Sequence, residues 1–172
     1  NYFVLNKKKY PNVRVLDTGL NSLTGKRMLK LKKNFKKDEN FFMTYGDGVA
    51  DIDIDKLLKH HKKNKKICTL TAVRPTARFG ELKIRGNTVH SFNEKPQLKQ
   101  GWINGGFFVF NYKIFEFINK KNQMFEREPM QKLLKKKNVN SFKHSGFWKC
   151  MDTLRDKILL EKIIIQNLKK NI

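Results

Sequence analysis

Between residues 12 and 73 the chain alternates strand-like and helix-like runs, and after residue 80 that alternation stops. NVRVLDT at 12–18 alternates apolar and polar residues into a Thr18-Gly19 turn, as a half-buried strand does. Residues 22–35 space Leu23, Met28, Leu29, Leu31 and Phe35 along one face of a helix. FFMTY at 41–45 is an unbroken apolar run, which predicts a fully buried strand of a parallel sheet. A helix over 54–63 and a strand over 67–73 follow, so βαβ units and a mainly parallel sheet are expected. Then 81–85, 89–93 and 102–110 read as strands with little between them, the first two joined as a hairpin through Arg85-Gly86-Asn87. Helices over 112–118, 128–136 and 152–168 and a strand over 139–143 complete the pattern. The expectation is an α/β chain with an antiparallel extension, organised as one domain over 1–172.

Nothing in the 172 residues approaches the apolar length of a membrane helix or the pattern of a signal peptide. A cytoplasmic protein with no membrane partner is the expectation. Cys68 and Cys150 lie in different segments, and free buried thiols suit them better than a disulfide framework. The net charge of +23 raises the possibility of a polyanion partner. Its make-up argues for a solvated basic surface instead. Lysine far outnumbers arginine, its clusters fall at expected loops and helix ends, and the scarce arginines are scattered, so no specific nucleic-acid partner is expected.

Four segments carry candidate chemistry. In Tyr45-Gly46-Asp47-Gly48, a carboxylate flanked by glycines ends a strand, where open α/β sheets bind ligands. It suits a phosphate-bound Mg²⁺, and equally a plain turn in which Asp47 accepts backbone N–H groups. In Gly146-Phe147-Trp148-Lys149-Cys150-Met151-Asp152, Asp152 reads as a helix N-cap that is also able to reach a metal. Glu94-Lys95-Pro96 places an acceptor and a cation side by side for a sugar phosphate, or merely forms an exposed ion pair. Asn104-Gly105-Gly106 within a strand signals close backbone approach to a ligand, or a bulge.

The order of these segments is more specific than any one of them. DTG-x-N-x-x-TG-x-R (17–27), TYGDGV (44–49), LTAVRP (70–75), RFG (78–80), SFNEKP (91–96), GWINGGFFV (101–109) and GFWKCMDTLRDK (146–157) cover nearly the whole chain. Together they resemble the sugar-1-phosphate nucleotidyltransferases, and among these the glucose-1-phosphate cytidylyltransferase branch. The resemblance implies a Rossmann-like nucleotidyltransferase (nucleotide-diphospho-sugar transferase) fold with a mixed sheet. The reaction it implies joins CTP and glucose 1-phosphate into CDP-glucose and pyrophosphate. It further implies that Asp47 and Asp152 bind Mg²⁺, that Ser22, Arg27 and Gly46 belong to the nucleotide surface, and that Glu94, Lys95, Asn104 and Gly105 meet the sugar phosphate. A homo-oligomer is expected on the same ground. The alternatives left open are a thymidylyl- or uridylyltransferase and a non-catalytic basic binding protein.

One departure stands out. Members of this family carry an early Gly-rich GxGTR-like loop that holds the triphosphate, and no such run occurs here. The chain begins with Asn1-Tyr2-Phe3, so the expectation is a partial sequence without the first βα units, inactive by itself.

Overall fold

The computed structural model describes residues 2–4, 13–75, 80–94 and 101–170, without side chains at 2–4, 81 and 167–170. Two compact units result, one of residues 1–40 with 111–138 and the other of 41–110 with 139–172.

In the first unit, β1 (Tyr2–Val4) pairs antiparallel with β2 (Arg14–Leu16). Helix α1 (Thr24–Leu31) buries Gly25 and Met28 and tightens into a 3₁₀ turn at Lys32–Asn34. The expected helix at 112–118 is a 3₁₀ turn, Tyr112–Glu116, begun by the Asn111 side chain accepting from Lys113 N–H at 3.1 Å. Its Ile114 and Phe115 are buried, and Phe115 meets Phe35 with ring centroids 6.0 Å apart. The first unit closes with helix α3 (Glu128–Lys135), whose Leu133 is fully buried.

The second unit is built on a four-stranded sheet of β3 (Asn40–Thr44), β5 (Cys68–Val73), β8 (Ile103–Asn111) and β9 (Val139–His144), in the order β3-β8-β5-β9. Strand β5 runs parallel to β9 and antiparallel to β8, so the sheet is mixed. Helix α2 (Ile54–Asn64) starts at Asp53, whose carboxylate accepts from Lys56 N–H at 2.9 Å. It covers one face, where Leu57 packs with Ile52, Val109, Phe107 and Phe142. On β8, Phe108 and Phe110 alternate with those residues and join Tyr45 and Phe41 in an aromatic row. β6 (Glu81–Arg85) and β7 (Thr88–Asn93) form the expected hairpin, separate from the main sheet.

One expectation needs correction. FFMTY does not form a fully buried strand of a parallel sheet. It lies at one end of the sheet order and leaves Phe42 44 % exposed, because β3 has a sheet neighbour on one side only among the described residues. Two further short strands, β4 (Gly48–Ala50) and β10 (Trp148–Cys150), pair antiparallel into a ribbon that carries no periodic signal in sequence. Helix α4 (Leu154–Lys170) follows directly.

His61, 2 % exposed, faces the sheet from α2 with Nδ1 2.8 Å from Thr69 Oγ1. Burial, with help from the neighbouring His60 charge, holds its pKa below the ordinary histidine value. The unfolded chain therefore takes up this proton at a higher pH than the folded one. Its contribution to stability is full above about pH 6.5 and is lost as pH falls toward the depressed folded pKa. Melting curves from pH 7.5 to 5 should show this decline, and His61→Gln should flatten it. An unchanged slope would contradict it.

Candidate active site

The ribbon of β4 and β10 assembles the strongest candidate residues. Its register pairs Cys150 with Gly48, and beyond that pair Met151 N–H donates to Asp47 O at 2.9 Å. Asp47 and Asp152 thus come from distant segments to one ribbon end, both exposed. Asp152 is not the helix cap. Thr153 is, through a reciprocal box in which Thr153 Oγ1 accepts from Asp156 N–H at 3.2 Å and Asp156 accepts from Thr153 N–H at 3.2 Å. The signal lay in the sequence, since Thr153-x-x-Asp156 is itself a capping pattern. With the cap role taken by Thr153, Asp152 accepts from the Cys150 thiol at 3.1 Å. Burial, then the bond to Asp152, pushes the Cys150 thiol up, so at neutral pH it is a donor and not a soft thiolate ligand. Cys68 is pushed up to about 12 by burial and is equally inert.

These donors fit a hard divalent cation. Among the described residues no group of three or more His, Cys, Asp or Glu side chains clusters as a closed metal cage. Two carboxylates at an open ribbon end instead leave positions for waters and phosphate oxygens, the habit of Mg²⁺.

Next to the ribbon, β8 presents the expected sugar-phosphate segment. Asn104 is exposed; its Oδ1 accepts from Gly106 N–H at 3.0 Å and its Nδ2 reaches Tyr45 OH at 3.5 Å. Tyr45 N–H in turn donates to Gly106 O at 3.1 Å, so Gly46-Asp47 leaves the sheet from a fixed point. Gly105 is buried, and its carbonyl accepts from the Trp148 indole N–H at 2.8 Å. A Cβ at Gly105 would stand 2.8 Å from Val73 Cγ1 and 3.1 Å from Thr71 O, so only glycine fits this close packing. The register shift between Leu70 and Ala72 makes the bulge reading of this segment correct as well. Glu94 is exposed just past β7; Lys95 lies outside the described residues.

Ser22 and Arg27 belong to the first unit and shape its 17–22 turn. Arg27 Nη1 donates to Thr18 Oγ1 at 2.6 Å and Nη2 to Leu20 O at 3.1 Å, while Ser22 Oγ donates to Thr18 O. The amides leading into α1 are already engaged, Leu23 N–H by Asn122 Oδ1 and Gly25 N–H by Gln123 O. The turn borders a depression of about 360 Å³ lined by Asp17, Thr18, Lys30 and Lys33 among others.

Sequence reasoning missed Asp51, His144 and Trp148. His144 Nε2 lies 2.9 Å from Asp51 Oδ1 and 3.2 Å from Phe147 O; both partners accept, so Nε2 carries the proton. Gly146, where a Cβ would fall 2.5 Å from Asp51 Oδ1, was the one cue to that close approach.

Known proteins are similar to this chain. The nucleotidyl transferase family model matches residues 23–156. The glucose-1-phosphate cytidylyltransferase of Salmonella typhimurium is 47 % identical over 150 residues, 87 % of this chain and 58 % of that protein. A Bacillus subtilis protein named "Probable glucose-1-phosphate cytidylyltransferase" is 36 % identical over 152 residues, 88 % of this chain and 59 % of its own length. The chain therefore spans less than two thirds of these relatives. The crystal structure of HddC from Yersinia pseudotuberculosis superposes with a TM-score of 0.56 at 21 % identity, covering 79 % of this chain and 60 % of that one, a likeness of fold. The mixed α/β nucleotidyltransferase fold is the one expected from the sequence. No helix among the described residues is long and apolar enough to cross a membrane.

Proposed function

Because the chain belongs to the nucleotidyl transferase family, we propose that the intact enzyme containing it transfers a cytidylyl group from CTP to glucose 1-phosphate. The products are CDP-glucose and pyrophosphate. The observation that carries this reading is the ribbon register, which brings Asp47 and Asp152 to one end beside Asn104 and Gly105 of β8. The names of the relatives supply the base and the sugar. We read residues 1–172 as part of a single catalytic domain, since the family match runs through both compact units.

Asp47 and Asp152 would hold Mg²⁺, which when bound neutralises phosphate charge at the transferring group. A phosphate oxygen of glucose 1-phosphate attacks the α-phosphorus of CTP. The new P–O bond forms as the α–β bridging bond breaks, and pyrophosphate leaves with its electron pair. No covalent enzyme intermediate is required. Asn104, held by Tyr45 and Gly106, directs its amide toward the sugar phosphate, with Glu94 and Lys95 as further partners at that end. Ser22 and Arg27 of the first unit, where Arg27 keeps the 17–22 turn in shape, and Gly46 of the second are each assigned to nucleotide contact. A cytoplasmic location follows from two charged, membrane-impermeant substrates, and we further propose a homo-oligomer, testable by sedimentation.

Parallel assays of the intact enzyme with CTP, UTP, dTTP and GTP test the reading. A site that hydrogen-bonds its base edge should favour CTP by about 10²-fold or more in kcat/KM, because a wrong base leaves buried polar groups unpaired. Equal values for CTP and dTTP would remove the cytidylyl assignment and leave only the family.

A further inference from the structure

A ribbon of three residue pairs is too short to hold its own shape. Something outside it must fix the carboxylates it carries. At the end away from Asp47, Asp51 N–H donates to Phe147 O at 3.2 Å, and His144 closes over both residues. That staple ties the ribbon to the end of β9. Toward β8 the described residues show two ties: the Tyr45 N–H bond to Gly106 O just before Gly46, and the Trp148 indole, whose N–H donates to Gly105 O at 2.8 Å.

We propose that Trp148 is a positioning residue: its indole N–H, bound to Gly105 O, sets the distance between the carboxylates Asp47 and Asp152 and the strand that presents Asn104. The inference rests on the function proposed above. Three features carry it. Indole N–H is a donor only, so it fixes one direction. Its acceptor belongs to Gly105, a buried residue packed so closely that an added Cβ would stand 2.8 Å from Val73 Cγ1, 3.1 Å from Thr71 O and 3.4 Å from Trp148 Nε1. The acceptor is next to the chemistry, because Asn104 adjoins Gly105, and the donor acts through the ribbon, since Trp148 pairs with Ala50 on the strand that leads through Cys150 and Met151 to Asp152. Loss of the donor frees the ribbon to tilt, and misplacement by about 1 Å can cost on the order of 10²-fold in rate.

The test compares wild type, Trp148→Phe and Asp47→Asn in the intact enzyme, with Mn²⁺ binding followed by electron paramagnetic resonance of the free ion. Melting temperature and steady-state kinetics with the best of the four nucleotides are measured beside it. Trp148→Phe should weaken Mn²⁺ binding about tenfold and raise the KM for sugar phosphate, with only a small fall in melting temperature, as expected for one lost hydrogen bond. Replacing Trp148 by β-(3-benzothienyl)alanine, which keeps the ring shape and lacks the N–H, should do the same, and it serves if the Phe variant fails to fold. Mn²⁺ affinity within twofold of wild type in either variant would overturn the proposal, as would a loss of thermal stability alone. If Asp47→Asn lowers Mn²⁺ affinity while both Trp148 variants leave it unchanged, this inference falls by itself. If Asp47→Asn also binds Mn²⁺ as wild type does, the metal reading falls and this inference with it.

Discussion

Asp47→Asn and Asp152→Asn should each lower kcat/KM of the intact enzyme on the order of 10²–10³-fold, the scale of removing a group that stabilises charge developing on transferred phosphate. Asn is nearly isosteric but carries no charge, so it keeps the fold while weakening the hold on a hard cation. Neither side chain supports the fold strongly, since both are exposed. The tie between their segments is the backbone bond from Met151 N–H to Asp47 O, which both substitutions leave intact. Melting temperatures should therefore move little, and raised Mg²⁺ should partly restore turnover. With the two carboxylates in one site, as proposed, the double variant should lose little more than either single one. Wild-type kcat/KM in Asp152→Asn, or losses that multiply fully in the double variant, would refute a shared site.

What the sequence made legible follows from how each segment is buried. Helix α2 shows its one-sided burial in the spacing of Leu57 and His61, and β5 its two-sided burial in a largely apolar run broken only by Thr69 and Thr71, so both were readable. β3 has the same apolar texture as β5 but takes the end of the sheet order. Its apolar residues answer to Phe108 and Phe110 on one side, and no local pattern distinguishes that from full burial. The ribbon was illegible for a different reason. Three residues in each strand give no periodicity, and its pairing joins segments far apart in the chain, so only the ordered resemblance pointed to Asp47 and Asp152 as partners.

The site residues divide along the same line. Asp47 and Asp152 announce themselves by chemistry, as carboxylates at a strand end and before a helix. Trp148, His144 and Asp51 do their work through geometry, and their residue types alone carry no such signal. Arg27 is intermediate. The resemblance set Arg27 on the nucleotide surface, and the structure has its guanidinium gripping Thr18 and Leu20 of the 17–22 turn.

Phe108→Ala should be the most destabilising single change in the second unit, at about 3–5 kcal/mol, as for other large aromatic side chains deleted from cores. Phe108 is 1 % exposed. It stacks on Phe110 with centroids 5.4 Å apart and meets the edge of Tyr45 at 5.6 Å, and each such aromatic pair adds about 0.5–1.5 kcal/mol beyond burial. The cavity cannot close easily, because β8 is hydrogen-bonded on both sides within the sheet. Phe108→Leu, which refills most of the volume, should cost distinctly less. The effect should also reach the chemistry. Tyr45 stands immediately before Gly46-Asp47 and near Asn104, so a Tyr45 ring that loses its partner loosens Asp47 and the Asn104 amide together. Urea titration of the intact enzyme, with kcat/KM measured well below the transition, separates the two consequences. A Phe108→Ala variant that loses under about 1 kcal/mol, far below the usual range for such a deletion, would mean that the aromatic row does not hold this sheet together.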